Sequence, residues 1–149
     1  MTALTDAVLA GSRDDALADS GLEVVERPAL AATAEDVLAA DALVLGTPAN
    51  FGYMSGALKH FFDSTFLEVG GALADDGSAA AGSGGRLPFG LYVHGRYDVT
   101  GAVRAVLAIT GALPWRQSAA VVEVLGEVDE GAREAAYELG GTLGALATG

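Results

Sequence analysis

Apolar positions recur along this chain with two periods, one helical and one typical of buried strands. Residues 2–18 carry Leu4, Val8 and Leu17 on one side and acidic residues on the others, which predicts an amphipathic helix. Four further helices are predicted, over residues 33–40, 55–66, 100–109 and 129–146. Thr33 and Ser55 stand where the second and third helices begin, and their hydroxyl groups suit an N-cap.

Short apolar runs separate these helices and predict strands at residues 22–26, 42–46, 87–93 and 118–125. Helix and strand therefore alternate, which is typical of an α/β fold with helices on both faces of a parallel sheet. No linker is long enough to separate two domains, so residues 1–149 are predicted to form a single domain. Residues 70–85 are rich in Gly, Ser and Ala, and they are predicted to be a flexible excursion.

The charge of the chain narrows the classes of partner. There are 8 Lys and Arg against 20 Asp and Glu, and the resulting net charge of −12 repels nucleic-acid phosphates and anionic lipid surfaces. The absence of Cys and the presence of 2 His leave little for a transition-metal site. No apolar run approaches the roughly 20 residues of a membrane span, and the N-terminus lacks the basic segment of a signal peptide. We expect a cytoplasmic protein that binds neither nucleic acid nor membrane.

Loops at the carboxyl ends of the strands are where a ligand is expected, because open α/β sheets bind their ligands there. The segment of residues 46–56 leaves a predicted buried strand and enters a helix. Its small residues let a ligand approach the backbone, and Phe51 and Tyr53 offer flat faces to a planar aromatic ligand. Composition alone is equally compatible with an ordinary connection whose aromatic side chains cover the core.

Residues 46–63, GTPANFGYMSGALKHFFD, resemble the flavin-ring loop and following helix of the flavodoxin-like FMN proteins. The similarity is to the branch of NAD(P)H-dependent FMN reductases and tryptophan-repressor-binding-protein-like quinone reductases. In that branch a Thr-Pro-x-x-x-Gly loop leads into a helix with Lys and Asp at the spacing of Lys59 and Asp63. The resemblance implies FMN as cofactor and a flavodoxin-like three-layer α/β sandwich whose parallel sheet has the strand order 2-1-3-4-5.

The resemblance also implies cofactor-binding residues in this loop. Backbone contacts and packing against the isoalloxazine ring are expected from Thr47, Pro48, Ala49, Asn50, Phe51 and Gly52. Ser55 either joins them or serves only as a helix N-cap. Lys59 and Asp63 are expected to form a structural pair along the helix, and His60 to lie on its solvated face.

A second informative loop, residues 94–98, follows the strand predicted at residues 87–93. The resemblance implies that His94, Gly95 and Arg96 lie beside the flavin. An imidazole there can hydrogen-bond the pyrimidine end of the ring and stabilise negative charge on the reduced flavin. Arg96 can do the same or attract a nicotinamide phosphate. The alternative for His94 is a strand-end side chain that hydrogen-bonds a neighbouring loop.

Two parts of the family pattern are missing at the start of the chain. FMN proteins of this fold hold the 5′-phosphate in a loop between the first strand and the first helix, whereas this sequence opens in a helix. The absent strand would lie between residues 22–26 and 42–46, and its absence would leave a gap of about 9.6 Å. Either upstream residues are missing, or another segment fills the slot, or the two flanking strands pair directly. We favour the first and expect an N-terminally incomplete domain.

The function implied by the resemblance is an FMN-dependent NAD(P)H oxidoreductase that passes electrons to a quinone or similar small acceptor. Relatives are commonly dimers or tetramers. A flavodoxin-type electron carrier is the alternative, since a net charge of −12 suits docking to basic redox partners. A flavin-free binding or oligomerisation module is a third, because the phosphate loop is absent, and the chain is then expected to be colourless.

Overall fold

The structure is a computed structural model that describes residues 1–70 and 87–149. The elements in chain order are α1 (Thr2–Ser12), α2 (Ala34–Ala39), β1 (Leu43–Asn50), β2 (Tyr53–Met54), α3 (Gly56–Val69), β3 (Leu87–Gly95), α4 (Thr100–Thr110), β4 (Trp115–Gln117), β5 (Val122–Leu125) and α5 (Glu130–Thr148). The flexible excursion predicted for residues 70–85 lies, beyond Gly70, outside the described residues.

A parallel sheet forms the centre of the molecule. β1 and β3 lie side by side in register, from Leu43 opposite Phe89 to Pro48 opposite His94. β4 and β5 both pair parallel with β3, one beside its first part and the other beside its last. β2 pairs antiparallel with the end of β1. The described strand order is β2-β1-β3-β4, with β5 also on β3.

Apolar side chains leave the sheet on both faces and build two cores. On one face, α2, α3 and α4 cover Leu45, Phe89, Leu91 and Val93. On the other face, α1 and α5 cover Tyr92. Successive residues of a strand point to opposite faces, so β3 contributes to both cores. The three-layer, flavodoxin-like sandwich expected from the sequence is confirmed.

The prediction of a strand at residues 22–26 is wrong. The structure has no strand in this segment, and no strand of the described chain pairs with it. A strand needs a neighbour to complete its backbone hydrogen bonds. Among the described residues, the side of β1 away from β3 carries only the short β2. Direct pairing of residues 22–26 with residues 42–46 is therefore excluded as the way in which the chain closes the predicted gap.

Three other boundaries differ from the expectation. α1 ends at Ser12 instead of residue 18, because the Asp14 side chain accepts a hydrogen bond from the Ala16 N–H and begins a separate 3₁₀ turn. The expected loop at residues 47–54 is largely a β-hairpin, since β1 continues to Asn50 and pairs with β2. The strand expected at residues 118–125 is shorter than predicted, since only β5 (Val122–Leu125) falls within it, and a separate short strand, β4, precedes it.

The two predicted N-caps are confirmed. The Thr33 hydroxyl accepts a hydrogen bond from the Asp36 N–H at 3.3 Å, and the Asp36 carboxylate accepts one from the Thr33 N–H at 2.9 Å. The Ser55 hydroxyl accepts a hydrogen bond from the Leu58 N–H at 3.1 Å. Each cap satisfies a backbone donor that the first turn of a helix leaves without a partner.

In the part of the chain that the structure describes, no helix has the length and apolar character needed to cross a bilayer.

A hydrogen bond from the Tyr137 hydroxyl to the Asp14 carboxylate links α5 to the turn after α1. This bond is the main reason that the pKa of Asp14 lies below its ordinary value. The same bond raises the pKa of Tyr137. The pair therefore links the packing of the two helices to pH.

We expect the stability lost in Tyr137→Phe to depend on pH in two directions. The lowered pKa of Asp14 stabilises the fold above pH 3.8, and this stabilisation disappears as the pH falls through the folded-state pKa. The raised pKa of Tyr137 stabilises the fold below pH 10.0, and this stabilisation disappears as the pH rises through the folded-state pKa. Urea unfolding should give the largest difference from wild type near neutrality. A difference that stays constant at acidic, neutral and alkaline pH would contradict this expectation. Tyr97→Phe is the control, because Tyr97 is exposed.

Candidate functional site

The carboxyl ends of β1, β3 and β5 meet at one edge of the sheet and form a cleft of about 480 Å³. Its walls are Ala49, His94, Gly95, Arg96, Gly126 and Glu127. The volume lies within the range of roughly 300–1,000 Å³ that is usual for small-molecule sites. Both loops singled out from the sequence therefore contribute to one cleft, at the place where an open α/β sheet binds its ligand.

The loop after β1 forms a tight hairpin. Ala49 pairs with Met54 and Asn50 pairs with Tyr53, which leaves Phe51 and Gly52 as a two-residue turn. Both turn residues have positive φ, 50° and 77°, as in a type I′ turn. A positive φ suits Gly52, but at Phe51 it costs on the order of 1–2 kcal/mol. Strained residues of this kind are concentrated at functional sites, which makes the turn a candidate contact.

Among the residues expected to line the ring, only Ala49 of this hairpin lies in the wall of the cleft. The Phe51 side chain is completely exposed, at 109% of its reference area, and Asn50 is also exposed. Pro48 and Gly52 are partly buried. The hairpin therefore presents an aromatic ring to solvent, two residues beyond the cleft wall.

Thr47 and Ser55 join the two ends of the hairpin from inside the core. The Thr47 side chain is fully buried, and its hydroxyl accepts a hydrogen bond from the Ser55 N–H at 2.9 Å. The same hydroxyl donates to the Pro48 carbonyl at 2.8 Å. The Ser55 hydroxyl is the N-cap of α3, which is the simpler of the two roles considered for it. Both side chains thus stabilise the hairpin at its two ends, on the side that faces the core.

His94 is the second-last residue of β3, and both of its ring nitrogens are hydrogen-bonded inside the chain. Nε2 lies 2.5 Å from the Gly126 carbonyl oxygen, and Nδ1 lies 3.2 Å from the amino group of Met1. A carbonyl oxygen only accepts, so Nε2 is the donor in the bond to Gly126. The two bonds are the contacts expected of a strand-end histidine that binds a neighbouring loop.

Gly126 and Glu127 are site residues that the sequence did not single out. They follow β5, and the only signal for them was their position after the last strand. Arg96 lies at the cleft with its side chain exposed, so the cleft carries charges of both signs. Because a guanidinium is a cation that can bond a carboxylate or phosphate through two N–H groups, Arg96 is the natural partner for an anionic ligand group here.

The helix after the hairpin carries the expected ion pair. Lys59 Nζ lies 2.7 Å from Asp63 Oδ1, one turn further along α3. The hydrogen bond to Asp63 is the main reason that the pKa of Lys59 is raised. His60 is exposed on the same helix. These three residues line neither described cleft, which agrees with the structural role expected for them.

A larger cleft, of about 590 Å³, lies between β5 and α5. Several acidic side chains line it, including Glu123, Glu127 and Glu138. It contains no residue of the hairpin or of residues 94–96, and it runs along an edge strand. Because ligands of open α/β sheets bind beyond the carboxyl ends of the strands, the smaller cleft is the better candidate.

Fold and cleft position together define a flavodoxin-like α/β protein. Residues 4–123 match the family described as NADPH-dependent FMN reductase, and this match covers most of the chain. The chain belongs to this family.

Solved structures show the same fold. The flavodoxin, WrbA-like protein from Agrobacterium tumefaciens has a TM-score of 0.69 at 18% identity, over 98% of this chain and 88% of that one. The flavodiiron protein from Giardia intestinalis has a TM-score of 0.69 at 15% identity, over 98% of this chain and 32% of that one. A flavodoxin-like domain from Synechococcus has a TM-score of 0.61 at 20% identity, over 97% of this chain and 88% of that one. At such identities the likeness concerns the fold alone.

A flavodoxin from Aquifex aeolicus is similar in sequence to part of the chain. The two are 41% identical over 69 residues, which are 44% of this chain and 37% of the relative. The match therefore spans little more than a third of that flavodoxin.

Proposed function

We propose that this protein is an FMN-dependent NAD(P)H oxidoreductase that passes electrons to a quinone or similar small acceptor. The observation that carries the proposal is the cleft, where Ala49 of the hairpin meets His94, Gly95 and Arg96 at the carboxyl edge of the sheet. Membership of the FMN reductase family supports flavin chemistry in that cleft. The proposal includes a cytoplasmic location and assembly into dimers or tetramers, which are supported only by resemblance and composition.

The residues present fit the ring of a flavin. The cleft has the volume of a small-molecule site, and the two loops approach closely, since a Cβ atom on Gly95 would lie 3.0 Å from the Ala49 Cβ. The exposed Phe51 ring offers a flat apolar face near the cleft. A flavin held there would accept hydride from the nicotinamide and pass electrons to the acceptor.

Each polar residue of the cleft then has a distinct task. Arg96 supplies the positive charge that attracts the pyrimidine end of the ring or a nicotinamide phosphate. His94 holds the end of β3 to Gly126, and so fixes the wall that carries Arg96. Glu127 adds a negative charge at the same edge, which disfavours anionic ligand groups that do not contact Arg96. No side chain needs to act as a nucleophile, because the cofactor carries the chemistry.

Within the described residues, the cleft offers contacts for the flavin ring. Riboflavin carries the same ring without the phosphate of FMN, so it tests these contacts by themselves.

Titration of the purified chain with FMN and with riboflavin, followed by flavin fluorescence, tests the proposal. Phe51→Ala should weaken both flavins about tenfold through lost stacking, whereas Leu67→Ala, an exposed residue of α3, should leave both unchanged. With saturating FMN under anaerobic conditions, NADPH should bleach the flavin without a partner reductase. If neither flavin binds saturably, the proposal is wrong.

A flavodoxin-type electron carrier is the second candidate. The net charge of −12 and the similarity to a flavodoxin favour it, because an acidic surface suits basic redox partners. The NADPH experiment separates the two functions. A bound flavin that is reduced only when a partner reductase is added would indicate the carrier.

A further inference from the structure

The turn that carries Phe51 rests on the first turn of α4. A Cβ atom built on Gly101, the second residue of α4, would lie 2.3 Å from the Gly52 carbonyl oxygen. Real Cβ atoms essentially never come within 3.0 Å of another heavy atom. The carbonyl can therefore occupy this position only because residue 101 has no side chain.

The start of α4 is a firm base for this contact. Val99 is buried in the core, with 5% of its surface exposed. The Asp98 carboxylate accepts a hydrogen bond from the Thr100 N–H at 2.9 Å, which holds the backbone where the helix begins. The end of β3 contacts the same hairpin, since a Cβ atom on Gly95 would lie 3.0 Å from the Ala49 Cβ. The segment of residues 95–101 thus contacts the hairpin at both of its ends.

The position of the turn needs such external support. Phe51 adopts a positive φ, yet its exposed ring gains no packing in return. Neighbouring contacts must offset this strain. They are the pairing of Asn50 with Tyr53, the hydrogen bond between Thr47 and Ser55, and the close contact of the Gly52 carbonyl with Gly101.

We infer that Gly101 is a positioning residue, which seats the Gly52 carbonyl on α4 and thereby sets where the Phe51 turn stands at the mouth of the cleft. Its effect on flavin binding rests on the proposed function, whereas its effect on the hairpin does not. A methyl group at residue 101 would push the Gly52 carbonyl outward by most of an ångström or more. Displacements of this size in binding elements reduce affinity or rate on the order of tenfold to a hundredfold.

Gly101→Ala and Gly56→Ala form a matched pair of variants. Both glycines are exposed in the first turn of a helix, but a Cβ atom on Gly56 would meet nothing within 4 Å. Alanine favours the helix at both positions, so any loss confined to Gly101→Ala comes from the contact with Gly52. If Gly101→Ala does not fold cooperatively, Gly95→Ala tests the other contact of the same segment with the hairpin.

The measurements are amide NMR shifts and the flavin dissociation constant. We expect the amide signals of residues 50–54 to move in Gly101→Ala and to stay in place in Gly56→Ala. We also expect about tenfold weaker flavin binding in Gly101→Ala alone. Unmoved hairpin signals would overturn the inference whatever the flavin does, and moved signals with unchanged affinity would overturn the role in the cleft. If the signals move but the wild-type protein binds no flavin, the contact between Gly101 and Gly52 is supported and the proposed function is refuted.

Discussion

Phe62→Ala is expected to lower the free energy of unfolding by about 3–5 kcal/mol, because it leaves a large cavity under the centre of the sheet. Phe62 lies on α3 and is among the largest fully buried side chains. Its ring centroid is 5.5 Å from that of Phe61 and 6.3 Å from that of Trp115. The loss is a large part of the roughly 5–15 kcal/mol that holds a typical domain together.

Urea unfolding measures this loss. The signal is the fluorescence of Trp115, which is the single tryptophan of the chain and lies beside the mutated site. Leu67→Ala is the control, because Leu67 lies on the same helix with 73% of its surface exposed. The control should change stability by no more than about 0.5 kcal/mol. A Phe62→Ala loss below about 1 kcal/mol would mean that the aromatic cluster does not hold α3 as the structure indicates. Because α3 begins at the Ser55 cap, the hairpin should also loosen in this variant.

Gly140→Ala is expected to lower the free energy of unfolding by about 1–3 kcal/mol or more, through overpacking between α1 and α5. A Cβ atom on Gly140 would lie 2.0 Å from the Val8 carbonyl oxygen and 3.0 Å from the Ser12 nitrogen. Both neighbours are backbone atoms of α1, which cannot rotate away as a flexible side chain can. The whole helix must shift to admit one methyl group.

Gly141→Ala provides the control one residue further along. The nearest atom to a Cβ there is the Gly11 carbonyl oxygen at 3.5 Å, an ordinary contact, so the helix propensity of alanine should prevail and add up to about 1 kcal/mol. Denaturant unfolding of the two variants should therefore give changes of opposite sign. Equal stability of Gly140→Ala and wild type would show that the helices separate without cost.

The sequence by itself determined the features that depend on near neighbours. The spacing of Leu4 and Val8 marked α1, and the apolar runs marked the buried strands β1 and β3. The Thr33 and Ser55 caps and the ion pair of Lys59 and Asp63 involve residues three or four positions apart, so their geometry follows once a helix forms. The alternation of these elements was sufficient for the α/β class.

Only the tertiary structure decided the features that need a partner from elsewhere in the chain. Residues 22–26 have the composition of a strand but no described neighbour to pair with, and β-structure depends on that neighbour. The expected loop after β1 became a hairpin whose tip rests on Gly101, about 50 residues away along the chain. The bond from His94 to Gly126, and the place of Glu127 in the cleft, likewise depend on β5 lying beside β3. Local periodicity records which face of an element is buried, whereas the site is made by contacts between elements, which no single segment contains.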